Sequence, residues 1–308
     1  MKPYSQRILA ALEKVSGSGR SMYQVFDDFL DMALATLESI PAHLESARTT
    51  HALADDTGET KALWDRLRNQ YSKEDFNRLH EAFEHLMDSA SEWQDAIGEA
   101  FMLSNAGNAR AGQFFTPFHV SILMAKITFG DIDAEIRHRL YEACEGDILL
   151  QMQVTMGYLK SGNEQYEFFI GTLLPQLIEK IKPISVCDPA IGSGGTMLAA
   201  ASLVPRFALD SKIVIFSGCD IDSRCVKMCK INFLLYGLNG EHLKWLWGLS
   251  LFEADQLPEE LKPAAQEALA VPENDREQFV NDFNDTRYQQ PSLFGTIGAL
   301  VEKNITVG

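Results

Sequence analysis

Apolar residues recur along this chain with two different periods, and the place where the period changes marks how the chain is organised. From Met22 onward, Val25, Phe26, Phe29, Leu30, Ala33, Leu34 and Leu37 return every three to four positions. They form one stripe on a helix that opens at a Ser21–Gln24 capping box and stops ahead of Pro41. Phe76, Leu79, Phe83 and Leu86 repeat the pattern over Ser72 to Met87, and a third helix is predicted over Glu92 to Leu103. Ala47 to Glu59 is polar and poorly periodic, so it reads as a loop. Residues 1–108 are therefore expected to form a helical domain whose Met and Phe stripes are its packing.

Ala111 to Pro117 reads A-G-Q-F-F-T-P and leads into Val120, Leu123, Met124 and Ile127 before Gly130. Thr116 and Pro117 suit the N-cap and first-turn positions of a helix, which makes Gly112 to Phe115 an extended approach to a helix N-terminus. Such a place takes an anion; it is also what an ordinary loop-to-helix junction with buried phenylalanines looks like. Residues 131–183 read as helical, with Pro175 interrupting or starting the last helix. Then the pattern shortens. Ile184, Val186 and Cys187 make a brief apolar run between Pro183 and Pro189, followed by a glycine turn and an apolar helix over Thr196 to Val204. A second β-rich run, Lys212 to Cys219, ends at Asp220 and Asp222; Arg224 to Tyr236 is the next helix, and Leu243 to Trp247 a third strand ending at Gly248. Alternation of this kind predicts a parallel doubly wound sheet over residues 109–252, with ligands at the carboxyl ends of its strands, and an acidic tail over 253–308. There is no internal repeat.

The turn itself, D-P-A-I-G-S-G-G-T from Asp188, carries the chemistry. Gly192, Gly194 and Gly195 permit positive φ and present no Cβ, so backbone N–H groups can approach an anionic ligand group, with Asp188 placed to accept from a ligand ammonium. A triphosphate-gripping loop needs Gly-Lys-Ser/Thr, and here Thr196 follows Gly195 directly. A dinucleotide fingerprint wants a third Gly or Ala where Met197 stands. A zwitterion bearing carboxylate and ammonium remains, which is the methionine end of S-adenosyl-L-methionine. Against it stands a glycine-rich connection with no ligand. An acid at the end of the second strand, Asp220 or Asp222, suits ribose hydroxyls.

Composition narrows the partners. The chain is 46% apolar and 23% charged, has no apolar run near 18 residues and shows no signal-peptide pattern over Met1 to Val15, so a soluble cytoplasmic protein is expected. Cys144, Cys187, Cys219, Cys225 and Cys229 make no C-x-x-C pair, and no histidines cluster beside them; they read as reduced thiols without a metal. The net charge of -16 works against autonomous duplex binding, which depends on Lys and Arg neutralising phosphates. If the protein acts on DNA, a partner is expected to hold it there; a dedicated DNA mimic is the other reading of the same charge.

The pair G-Q-F-F-T-P at Gly112 to Pro117 and D-P-A-I-G-S-G-G at Asp188 to Gly195, followed by C-D-I-D at Cys219 to Asp222 and K-I-N at Lys230 to Asn232, resembles the adenine-specific (N-6) DNA methyltransferase subunits of type I restriction-modification systems. The resemblance covers residues 70–252 and implies an α/β fold: an N-terminal helical domain plus a Rossmann-like S-adenosylmethionine-dependent methyltransferase core, here truncated after the third parallel strand. It implies that Gln113, Phe114, Phe115, Thr116 and Pro117 flank the cofactor. Asp188, Pro189, Gly192, Ser193, Gly194 and Gly195 would hold its methionine part, and Asp220, Ile221 and Asp222 its ribose. It also implies a separate specificity subunit that reads DNA.

Two departures from the family pattern matter. Where the family has an aspartate for the cofactor adenine, this chain has Leu249, a loss of about 0.5–1.5 kcal/mol for one missing hydrogen bond. More seriously, the family makes its target amine nucleophilic with an Asn-Pro-Pro-aromatic tetrapeptide acting on a flipped base, and no two prolines are adjacent in this chain. The expected function is methylation of DNA together with a partner that supplies those groups. The alternative is a non-catalytic methyltransferase-like protein that modulates restriction-modification or sliding-clamp partners. Truncation would also leave the strand at Ile184 to Cys187 on an edge, to be covered by the tail, a second copy or another polypeptide. In the tail, Q-P-S-L-F from Gln290 through Leu293 to Phe294 resembles a sliding-clamp docking peptide, or else caps the sheet edge.

Overall fold

The computed structural model describes residues 2–50, 54, 58–104 and 114–240. Two compact units divide the chain, Met1–Glu38 with Gly58–Leu243 and Ser39–Thr57 with Lys244–Gly308. The first begins with helices α1 (Tyr4–Ser16), α2 (Met22–Thr50, continuing into the second unit), α3 (Gly58–Gln70), α4 (Lys73–Ser89) and α5 (Ala96–Leu103). The Ser21 hydroxyl accepts from Gln24 N–H at the head of α2, and the Ser72 hydroxyl accepts from Asp75 N–H at the head of α4. The expected stripe of α2 is the buried one: Val25, Phe26, Phe29, Leu30, Ala33 and Leu37 are all buried, and the Phe26 ring meets that of Phe101 at 5.3 Å between centres. Three boundaries differ from expectation, one of them the start of α5, which lies at Ala96 behind the Asp95 cap and not at Glu92. Pro41 does not stop α2; it stands at an exposed position inside the helix, where its missing N–H removes one rung and the rest of the ladder continues to Thr50. The stretch read as a loop from Ala47 to Glu59 is correspondingly shorter, with α3 already under way at Gly58.

The next helices are α6 (Phe118–Phe129), α7 (Ile132–Ala143), α8 (Ile148–Tyr158), α9 (Gly162–Phe168) and α10 (Leu174–Leu177), with Pro175 starting the last of these. Asp131 and Asp147 cap α7 and α8 through Ala134, Leu149 and Leu150 N–H groups. Thr116 is not the cap of α6. Pro117 is, with an extended ψ of 137°, and its carbonyl accepts from Val120 and Ser121 N–H at 2.9 and 3.0 Å. Proline's φ suits the cap as well as the first turn, so the pair reads one residue too early from sequence.

A parallel two-stranded sheet follows: β1 (Ile184–Asp188) and β2 (Val214–Gly218), joined by α11 (Gly195–Ala201) and α12 (Arg206–Asp210), with α13 (Ser223–Tyr236) behind. Register runs from Ile184 opposite Val214 to Asp188 opposite Gly218. Ile184 N–H donates to the Ile213 carbonyl, and Cys219 N–H to that of Asp188, so Phe216 faces away from β1. There the Asn239 side chain takes a strand's place, accepting from Phe216 N–H and donating to its carbonyl, both at 2.7 Å. Among the described residues β1 pairs only with β2, and the third strand expected at Leu243 to Trp247 lies outside them. The described fold is thus mixed α/β, mostly helical around a small parallel sheet. No described helix is long and apolar enough to cross a membrane.

Candidate functional site

Four residues singled out in the sequence, Phe115, Asp188, Gly192 and Asp220, meet at the turn between β1 and α11. Gly192 and Gly194 take φ of +56° and +86°, conformations that a side chain resists. The turn has no spare room either. A Cβ on Gly192 would stand 3.2 Å from the Phe115 ring, one on Gly194 3.1 Å from the Cys229 sulfur, and one on Gly195 2.8 Å from the Asp95 carboxylate. Phe115 and the glycine turn are therefore in contact, and Phe101 stacks on Phe115 at 5.7 Å between ring centres. Phe114 points out and is 75% exposed, Thr116 and Pro117 are exposed, and Gln113 lies outside the described residues.

The acids brace the turn. Asp188 accepts from Ala190 N–H at 2.9 Å and from the Thr196 hydroxyl at 2.8 Å. Asp220, at the end of β2, reaches across to accept Gly192 N–H at 2.9 Å with one oxygen and Asp222 N–H at 2.9 Å with the other. Each oxygen keeps a further acceptor site, since a carboxylate offers about four. Asp222 is engaged elsewhere: it caps α13 through Arg224 N–H and pairs with the Arg224 guanidinium at 2.8 Å. Arg224 in turn lies over the rings of Tyr23 and Phe101, tying α13 to the helical part. Ile221 is fully exposed beside it, and Pro189 follows Asp188 into the turn. A cavity of about 490 Å³ opens on the α13 side, with Ile191, Gly218, Cys229, Lys230 and Phe233 among its lining.

Three residues of the site carried no functional reading in the sequence. Asp95, the N-cap of α5, is buried against the turn and accepts a hydrogen bond from the Ser193 hydroxyl. Asn232, the last residue of K-I-N, donates to Asp95 Oδ1 at 2.9 Å and to the Ser193 carbonyl at 2.8 Å. Burial raises the Asp95 carboxyl above the ordinary aspartate range, against the hydrogen bonds from Ser193, Asn232 and Gly98. Burial also pushes the Cys229 thiol up to about 12, helped by Asp95, Asp188 and Asp220, so this sulfur is a neutral packing group and no nucleophile. Only one signal pointed to Asp95, Asp-Ala-Ile-Gly ahead of an apolar helix, and locally that means a cap.

Residues 160–288 match the family model described as N-6 DNA Methylase, which bears out the resemblance to adenine-specific DNA methyltransferases without addressing type I systems. The matched segment begins after the F-F-T-P residues and runs past the described ones. No curated protein and no solved structure matches the chain.

Proposed function

From the premise that residues 160–288 form an N-6 DNA methylase domain, we propose that this chain binds S-adenosylmethionine at the turn between β1 and α11. It then serves adenine methylation of DNA together with a second polypeptide. The core it offers is a Rossmann-like methyltransferase fold of the kind the resemblance to type I subunits implies. One observation carries the reading: Phe115, Asp188, Gly192 and Asp220, scattered over a hundred residues of sequence, converge on one turn. The residues present suit the cofactor. The glycines admit close approach of a ligand to backbone, and Asp188 and Asp220 retain acceptor sites for ammonium and hydroxyl groups. Phe114 offers an exposed aromatic face.

Bound S-adenosylmethionine supplies an electrophilic methyl on a sulfonium. The chain's own residues hold and orient it, while Phe115 closes one wall of the turn against water. Activation of an exocyclic amine needs acceptors for its N–H protons, so that the nitrogen lone pair leaves the ring's conjugation, and the sequence has no consecutive prolines to build the usual tetrapeptide. The partner supplies that step and the reading of DNA. That same gap favours the second reading, a non-catalytic methyltransferase-like binding protein.

Calorimetric titration separates these ideas. Asp220→Ala is expected to weaken S-adenosylmethionine binding at least about tenfold, ~1.4 kcal/mol, because it removes an acceptor and releases Gly192 N–H together. Unchanged affinity would remove Asp220 from the site. Labelled methyl transfer to unmethylated DNA should require the product of a neighbouring gene; cofactor binding without transfer in any such mixture selects the non-catalytic reading.

A further inference from the structure

The buried carboxylate of Asp95 does more than its local role needs. To cap α5 it has only to accept Gly98 N–H, at 2.9 Å, and an exposed Ser or Asn would do as much. Instead the carboxylate is withdrawn from water, an unfavourable place for a charge, and its hydrogen-bond partners are all neutral. Those partners come from three elements. The Ser193 hydroxyl donates from the glycine turn and Asn232 from α13, and Asn232 also donates to the Ser193 carbonyl. Asp95, Ser193 and Asn232 thus close a triangle of hydrogen bonds around the middle of the turn. The packing is adapted to it: side chains at Gly98 or Gly195 would run into the same carboxylate.

We propose that Asp95 is a positioning residue for the glycine turn, holding Ser193 and through it the Gly192–Gly195 backbone in the conformation that receives the ligand. The helical region, which lies outside the matched methylase segment, is on this account part of the site. Identification of the ligand as S-adenosylmethionine rests on the function proposed above; the ordering of the turn does not.

The test uses the full chain and reads the two separately. Hydrogen exchange by mass spectrometry on peptides spanning 189–198, without ligand, reports the order of the turn, and calorimetry with S-adenosylmethionine reports binding. Asp95→Ala and Ser193→Ala are expected to speed exchange in that peptide about tenfold or more while α1 and α4 keep their protection. Asp95→Asn, which can accept from Gly98 and Asn232 and donate to Ser193, should stay within about threefold of the parent. Affinity should fall about tenfold in Asp95→Ala and return in Asp95→Asn, a rescue that bulk destabilisation would not give. If the turn's exchange is unchanged in both Ala variants, or rises only in step with the whole chain, the positioning role is wrong. A parent chain that does not bind S-adenosylmethionine but shows the expected exchange sinks the cofactor and keeps the role. Should Asp95→Ala fail to fold, Ser193→Ala decides alone.

Discussion

Asp95 and Gly98 show how far a residue's surroundings can override its local preference. Replacing a helical glycine by alanine ordinarily stabilises by about 1 kcal/mol. At Gly98 the added methyl meets Asp95 and the Ser193 hydroxyl, so Gly98→Ala is expected to destabilise, by about 1–3 kcal/mol. Urea denaturation gives the sign, and a gain in stability would show that the triangle yields easily. For Asp95 the consequence is a dependence on pH. Its folded-state pKa is raised by burial, so ionisation is less favourable in the folded chain than in the unfolded one. Its contribution is therefore most favourable below the ordinary value of 3.8 and declines as pH rises through the raised folded value. Asp95→Asn removes that ionisation. Thermal midpoints compared from about pH 4 to 7 should show the parent losing ground to Asp95→Asn as pH rises; a constant difference would mean an unperturbed carboxyl.

Among elements, the described part of the small sheet shows a side-chain amide satisfying a strand's backbone. On one side β2 meets β1; on the other, Phe216 is satisfied by the side-chain amide of Asn239. Asn239 has φ of +58°, which asparagine tolerates better than most residues. Asn239→Gly keeps that freedom and deletes both bonds. A loss of about 1–2 kcal/mol in chemical denaturation is expected, since a buried strand amide and carbonyl lose their partners; a neutral result would mean that water replaces them. Helices α6 and α8 raise the opposite question. Small Ser121 and Ala125 form the buried side of α6, while Leu123, Met124 and Ile127 are exposed, and α8 exposes Ile148, Leu149, Met152 and Met156. Helices apolar all round are usually covered.

For the molecule as a whole, charge is the governing quantity. A net -16 leaves no surplus of cations to displace counterions from a duplex, so the chain alone should show no measurable duplex affinity at about 150 mM salt by fluorescence anisotropy. Tight binding by the isolated chain would contradict the dependence on a partner. The sequence by itself determined the local features: the stripe of α2 and the strand–turn–helix at Ile184 to Ala201. These are legible because period, capping and glycine conformational freedom act over a few residues. It misplaced the cap at Thr116 and the stop at Pro41, where proline is compatible with two adjacent structures. Only the tertiary structure decided that Asp95 lies beneath Ser193, 98 residues away, that Asn232 closes the triangle, and that Asp222 serves Arg224 while Asp220 reaches the turn. Such pairings are set by the packing of α5 and α13 against the glycine turn, and burial, which gives the Asp95 carboxyl its raised pKa, does not exist until the chain has folded.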